Sequence, residues 1–148
     1  LNDYYGFGGS LLAWEEYKSD PRWSERSYSD IVTYDLASRK RKKLTRNQKY
    51  FSPEPNDDGT QIACVEYDEM LESSICILDA VSGAVIKKVS HPGWIYTYPR
   101  WSTDGMAVFS SVRDSIGDMA IVKINLQTGT EQILIPFRNR ILGIPAVN

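Results

Sequence analysis

Apolar and polar residues alternate in short runs along this chain, and turn residues separate the runs. The clearest set lies in the last third: 98–102 (YPRWS), 106–112 (MAVFSSV), 119–125 (MAIVKIN) and 130–135 (TEQILI). These runs are rich in β-branched and aromatic side chains, and alternation over so short a length predicts strands. Asp104-Gly105 predicts a tight hairpin between the first two runs. Asn125-Leu126-Gln127-Thr128-Gly129 predicts another between the last two, with a side-chain oxygen capping the turn and Gly129 in the left-handed position. No stretch of the chain predicts a helix.

The four-strand group recurs. Shifted by 46 positions, Tyr98-Pro99-Arg100-Trp101-Ser102-Thr103-Asp104-Gly105 falls on Ser52-Pro53-Glu54-Pro55-Asn56-Asp57-Asp58-Gly59, so the proline and the Asp-Gly pair coincide. Ile62 then meets Val108, Asp79 meets Asn125, Gly83 meets Gly129, and Pro99 falls on Pro145 one period later. The first third keeps the scheme with a changed loop. Residues 9–17 match 59–67 at an offset of 50, whereas Asp35 matches Asp79 at 44, leaving six surplus residues in the loop 18–29. Repeats of this length with four strands each predict an all-β fold of antiparallel four-stranded β-propeller blades with a 46-residue repeat. About three blades are expected, over residues 1–49, 50–95 and 96–141, with the start of a further blade at 142–148.

The pattern Pro-x-Trp-Ser-x-Asp-Gly, then a strand, then Asp/Asn-x-x-Thr-Gly, resembles the WD-like repeats of TolB-type β-propellers. Pro99, Trp101, Ser102, Asp104, Gly105, Asn125, Thr128 and Gly129 carry the resemblance in the third unit. Pro53, Asp58, Gly59, Ile62, Ala63, Asp79, Ser82 and Gly83 carry it in the second. Pro55 and Asn56 stand where Trp and Ser are usual, and Arg39 stands at the turn glycine. The resemblance implies a periplasmic or extracellular protein that binds proteins, peptides or glycans. It also implies a rival, the propeller portion of a larger hydrolase whose catalytic domain lies elsewhere. The motifs specify fold more than function.

Composition adds limits. The 148 residues carry a formal net charge of -2, are 42% hydrophobic, and hold no apolar run long enough to span a bilayer. The opening LNDYYGFGGSLLAW lacks the basic and apolar regions of a signal peptide and reads like the middle of a protein. Three blades leave open sheet edges. The expectation is therefore a segment of a longer parent, or self-association of two copies through those edges. Cys64 and Cys76 fall nearly opposite one another on paired strands, as two buried thiols or a cross-strand disulfide.

Chemistry is sparse. His91 stands alone in Ser90-His91-Pro92-Gly93-Trp94 and reads as a solvent-facing turn residue. There is no nucleophile elbow, no His-Glu-x-x-His pair, and no expected cofactor, metal or catalytic residue. Gly6-Phe7-Gly8-Gly9 lacks a following Lys-Ser/Thr and reads as a flexible approach to a strand. Glu15 and Glu16 point to opposite faces of one strand. Asn56-Asp57-Asp58 lacks the spaced ligands of a calcium loop and reads as a hairpin turn. The basic run 39–43 (RKRKK) falls on an outer strand, where charge guards an edge, and nucleic acid is not expected as a partner. Ligand contact is expected at the mouth formed by the B–C and D–A connections, counting each blade's strands A to D outward. The candidates there are Arg22, Trp23, Trp94, Tyr96, Arg113, Arg138 and Arg140. Aromatics and arginines join large contact area to directional hydrogen bonds, while Trp94, Tyr96 and Tyr98 could equally fill the wedge between blades.

Overall fold

The computed structural model describes residues 4–19, 27–70, 72–143 and 145. Among them twelve strands form three antiparallel four-stranded sheets. The first sheet holds β1 (Tyr5–Gly8), β2 (Leu11–Ser19), β3 (Ser27–Asp35) and β4 (Lys40–Lys43). The second holds β5 (Tyr50–Pro55), β6 (Gln61–Tyr67), β7 (Ser73–Asp79) and β8 (Val85–Val89). The third holds β9 (Ile95–Trp101), β10 (Ala107–Arg113), β11 (Met119–Asn125) and β12 (Glu131–Arg138). Each strand pairs with its sequence neighbour, as in the blades of a β-propeller, and no described residue is helical.

The inner strands β1, β5 and β9 stand side by side, and apolar faces meet between successive sheets. Ala13, Ile31 and Leu44 of blade one close on Tyr50, Ile62, Cys64, Cys76 and Leu78 of blade two. The other face of blade two gives Ala63, Val65, Ile75 and Ile77 to a second core, completed by Tyr96, Trp101, Val108, Val112, Ala120, Val122 and Ile124 of blade three. Burying one such side chain stabilises by about 1.5–3 kcal/mol, so the blades hold one another.

Gly6-Phe7-Gly8 is not a flexible approach. It forms most of β1, the innermost strand of blade one, with Gly6 and Gly8 buried. A Cβ on Gly6 would lie 2.2 Å from the Pro53 carbonyl oxygen, and one on Gly8 would lie 2.1 Å from that of Asn56. Backbone meets backbone there, and only glycine leaves room.

The departures from the repeat are absorbed locally. Asn56 does the work of Ser102: its Oδ1 accepts the Gln61 N–H at 2.9 Å, as Ser102 Oγ accepts that of Ala107 at 2.9 Å. Arg39 takes φ 56°, the same left-handed position as Gly83 at 75° and Gly129 at 77°, so the turn survives at some strain. Cys64 and Cys76 are register partners, fully buried, and free. Backbone hydrogen bonds at Asp68–Glu72 and Thr60–Ala80 of the same hairpin place the cysteines in the hydrogen-bonded class of pair, where side chains stand farther apart. The Cys76 thiol donates to Glu66 Oε2 at 3.2 Å instead.

Candidate functional site

Because the blades repeat, one position of the repeat appears three times around the inner wall. Tyr4, Glu54 and Arg100 are such a set, on or beside the innermost strands. Arg100 forms an ion pair with Glu54 through Oε1, and the Tyr4 hydroxyl donates to Glu54 Oε2 at 3.1 Å. The Arg100 guanidinium also lies over the Tyr4 ring, 5.7 Å from its centroid. Burial raises the Glu54 carboxyl above the usual range, while the neighbouring guanidinium pulls it the other way. Burial beside Glu54 likewise raises the Tyr4 phenol. Glu54 thus links blade one to blade three through its two carboxylate oxygens.

Two further repeated positions lie closer to the mouth. Ser52 and Tyr98, one period apart, both take positive φ, 51° and 50°, at irregularities in the pairing of β5 and β9. A side chain other than glycine in this region is uncommon, and such strain collects where a side chain is aimed for use. The Ser52 N–H is held by Glu15 Oε2 at 2.5 Å. Tyr98 remains partly exposed, with its ring centroid 5.9 Å from that of Tyr4.

The second position lies at the outgoing end of strand B, where the three blades carry Tyr17, Tyr67 and Arg113. Phe51 bridges the two tyrosines, 5.9 Å from Tyr17 and 5.3 Å from Tyr67. Burial raises the Tyr67 phenol, and the charge of Arg113 opposes that rise. An aromatic band therefore crosses from blade one to blade two and ends at a cation on blade three.

The sequence-derived candidates divide. Arg22 and Trp23 lie outside the described residues. Trp94 is half-buried and packs on Phe137 at 5.4 Å, and His91 stacks on it at 3.8 Å with 15° between the planes. His91 therefore lies on an indole rather than facing only solvent. Its Nδ1 lies 2.9 Å from the Pro92 carbonyl oxygen. Tyr96 is fully buried between blades two and three, its hydroxyl donating to Glu131, so it supports the mouth from below and offers a ligand no surface. Arg113 and Arg138 flank Met119 at one end of blade three, and both are exposed, as is Arg140 in the connection that follows. The structure thus groups Trp94, Arg113, Arg138 and Arg140 at one end of blade three.

Tyr4, Tyr17, Phe51, Glu54, Tyr67 and Arg100 were not singled out from the sequence. The signal was available: offsets of 50 and 46 bring Tyr4, Glu54 and Arg100 into one column, and Tyr17, Tyr67 and Arg113 into another.

No group of three or more His, Cys, Asp or Glu able to hold a metal exists among the described residues. Both thiols are buried, and burial pushes Cys76 up to about 12. Open grooves of about 500 and 360 Å³ lie on the outer flanks between blades, away from the aromatic band.

No protein-family model matches the chain. No curated protein matches it either. Solved structures do. TolB from Acinetobacter baumannii superimposes with a TM-score of 0.69 at 22% identity, over 92% of this chain and 33% of that one. The acylaminoacyl peptidase of Pyrococcus horikoshii gives 0.70 at 16%, over 91% of this chain and 25% of that one. The β-propeller domain of the Trilobed protease from Pyrococcus furiosus gives 0.64 at 17%, over 88% and 41%. The chain thus spans a quarter to two-fifths of these proteins, and the shared feature is the fold, a TolB-like β-propeller.

Proposed function

We propose that these blades are part of a non-enzymatic binding wall that holds a protein or peptide segment at one mouth of a propeller. The observation that carries this reading is the aromatic band Tyr17–Phe51–Tyr67 beside the strained, part-exposed Tyr98 and the cation Arg113. Rigid aromatic rings give large contact area for little lost side-chain freedom, and an arginine at their end supplies direction. A glycan would use the same rings by stacking. An extracytoplasmic location accompanies this reading through the likeness to TolB.

A second reading has its own support, since two of the similar structures are peptidases. In it the blades screen access to a catalytic domain, and their mouth has little affinity of its own. Binding of arrayed peptides and oligosaccharides to the full chain, compared with its Tyr98→Ala and Phe51→Ala variants, separates the two. Ligands that weaken tenfold or more in both variants support the binding wall. Absence of any ligand for the unaltered chain favours the screening role.

A further inference from the structure

Two loops at the mouth are copies of one device. Asp68 and Asp114 stand 46 residues apart and open connections of the same length, Asp68-Glu69-Met70-Leu71-Glu72 and Asp114-Ser115-Ile116-Gly117-Asp118. Asp68 Oδ1 accepts the N–H groups of Met70 and Glu72 at 2.8 and 2.9 Å; Asp114 Oδ1 accepts those of Ile116 and Asp118 at 3.1 and 2.9 Å. Each loop is closed by a backbone bond of 3.0 Å, from Asp68 N to Glu72 O and from Asp114 N to Asp118 O. At the same place in each, an apolar side chain stands in water: Met70 is 85% exposed and Ile116 82%. One exposed apolar residue is ordinary on a protein surface. The same exposure at the same point of two loops closed by matching hydrogen bonds is a patterned surface, and neither Met70 nor Ile116 belongs to the cores. Ile141, 94% exposed, extends it past β12.

The charges around these tips are sorted by blade. Exposed Asp68, Glu69 and Glu72 flank Met70 along the chain, whereas exposed Arg113, Arg138 and Arg140 stand at the same end of blade three as Ile116 and outnumber the half-buried carboxylates of its loop, Asp114 and Asp118. The rim is acidic over blade two and, with three arginines against two carboxylates, net basic over blade three, so it complements a partner of opposite polarity and fixes its direction.

We propose that this rim binds a protein segment carrying two apolar side chains, with lysine or arginine at the end over blade two and carboxylates at the end over blade three. This rests on the binding reading above and specifies its partner. Random twelve-residue peptides displayed on phage and selected on the full chain test it, with Met70→Ser/Ile116→Ser as one variant and Glu69→Lys/Arg140→Glu as another. All four side chains are exposed, so unchanged thermal unfolding is expected in both. Selected peptides should carry the predicted polarity, bind the serine variant at least tenfold more weakly, and give way to peptides of reversed polarity on the charge-swapped variant. Peptides that ignore the serine substitutions but fail on Tyr98→Ala overturn the rim and leave the binding wall standing. Peptides of no consistent polarity overturn the charge assignment. Failure to select any peptide on the unaltered chain overturns both.

Discussion

The two blade interfaces solve one packing problem in opposite ways. Between blades two and three the gap is filled by large side chains. Trp101 is mostly buried and its indole N–H reaches back to the Glu54 carbonyl at 2.8 Å, with fully buried Tyr96 alongside. Between blades one and two the equivalent of Trp101 is Pro55, and the facing strand carries Gly6 and Gly8, so the backbones themselves approach. Farther out, Ala13, Cys64 and Cys76 share that interface with Ile31, Tyr50, Ile62 and Leu78, so the contrast belongs to the inner strands. A filled wedge fails when atoms are removed, and a closed one fails when atoms are added.

Three substitutions press on this contrast. Trp101→Ala should cost about 3–5 kcal/mol, the range for emptying a buried aromatic site, measured by urea unfolding. Gly8→Ala should cost about 3 kcal/mol, since its new methyl meets the Asn56 carbonyl oxygen, while the mirror change Pro55→Trp should be worse tolerated than any large residue at 101. Equal tolerance of added bulk at both interfaces would remove the distinction.

Glu54 touches both interfaces, and its contribution depends on pH. A carboxyl raised on folding stabilises below its unfolded value and loses that contribution as pH rises through the folded one. The stability of the unaltered protein relative to Glu54→Gln should therefore fall as pH rises above the ordinary 4.5, read from paired urea titrations. Asp35, Asp58, Asp79 and Asp104 behave oppositely, because turn hydrogen bonds lower them. Their contribution is present above the ordinary 3.8 and is lost as pH falls further. The pairwise comparison cancels them. The smallest effect is expected at Arg39→Gly, which relieves a left-handed residue and should stabilise by about 0.5–1 kcal/mol, seen as a small rise in Tm.

The repeat and its strands were legible because turn chemistry is local: Asp104-Gly105 and Asn125 to Gly129 mark their hairpins wherever they stand. Strand β1 was not, because its alternating Gly6 and Gly8 answer to a neighbouring blade rather than to strand propensity. The mouth was legible in part. Trp94, Arg113 and Arg138 were reached from loop placement, but loop placement cannot tell that Tyr96, one residue past β9's start, turns inward. Tyr4, Glu54 and Arg100 were hidden for another reason. Their meaning lies in a column of the repeat, and each residue alone looks unremarkable.

That column has a consequence for how the chain finds its own order. Three identical blades could exchange places, or pair with a blade of another copy, with little change in contact energy, and repeat proteins misassemble by that route. Tyr4, Glu54 and Arg100 differ in kind, so the phenol–carboxylate–guanidinium sequence closes only when blade one lies beside two and two beside three. Shifting the order by one repeat would leave Glu54 buried without its cation. Divergence between the repeats therefore works as an address, and drift toward a consensus repeat would erase it.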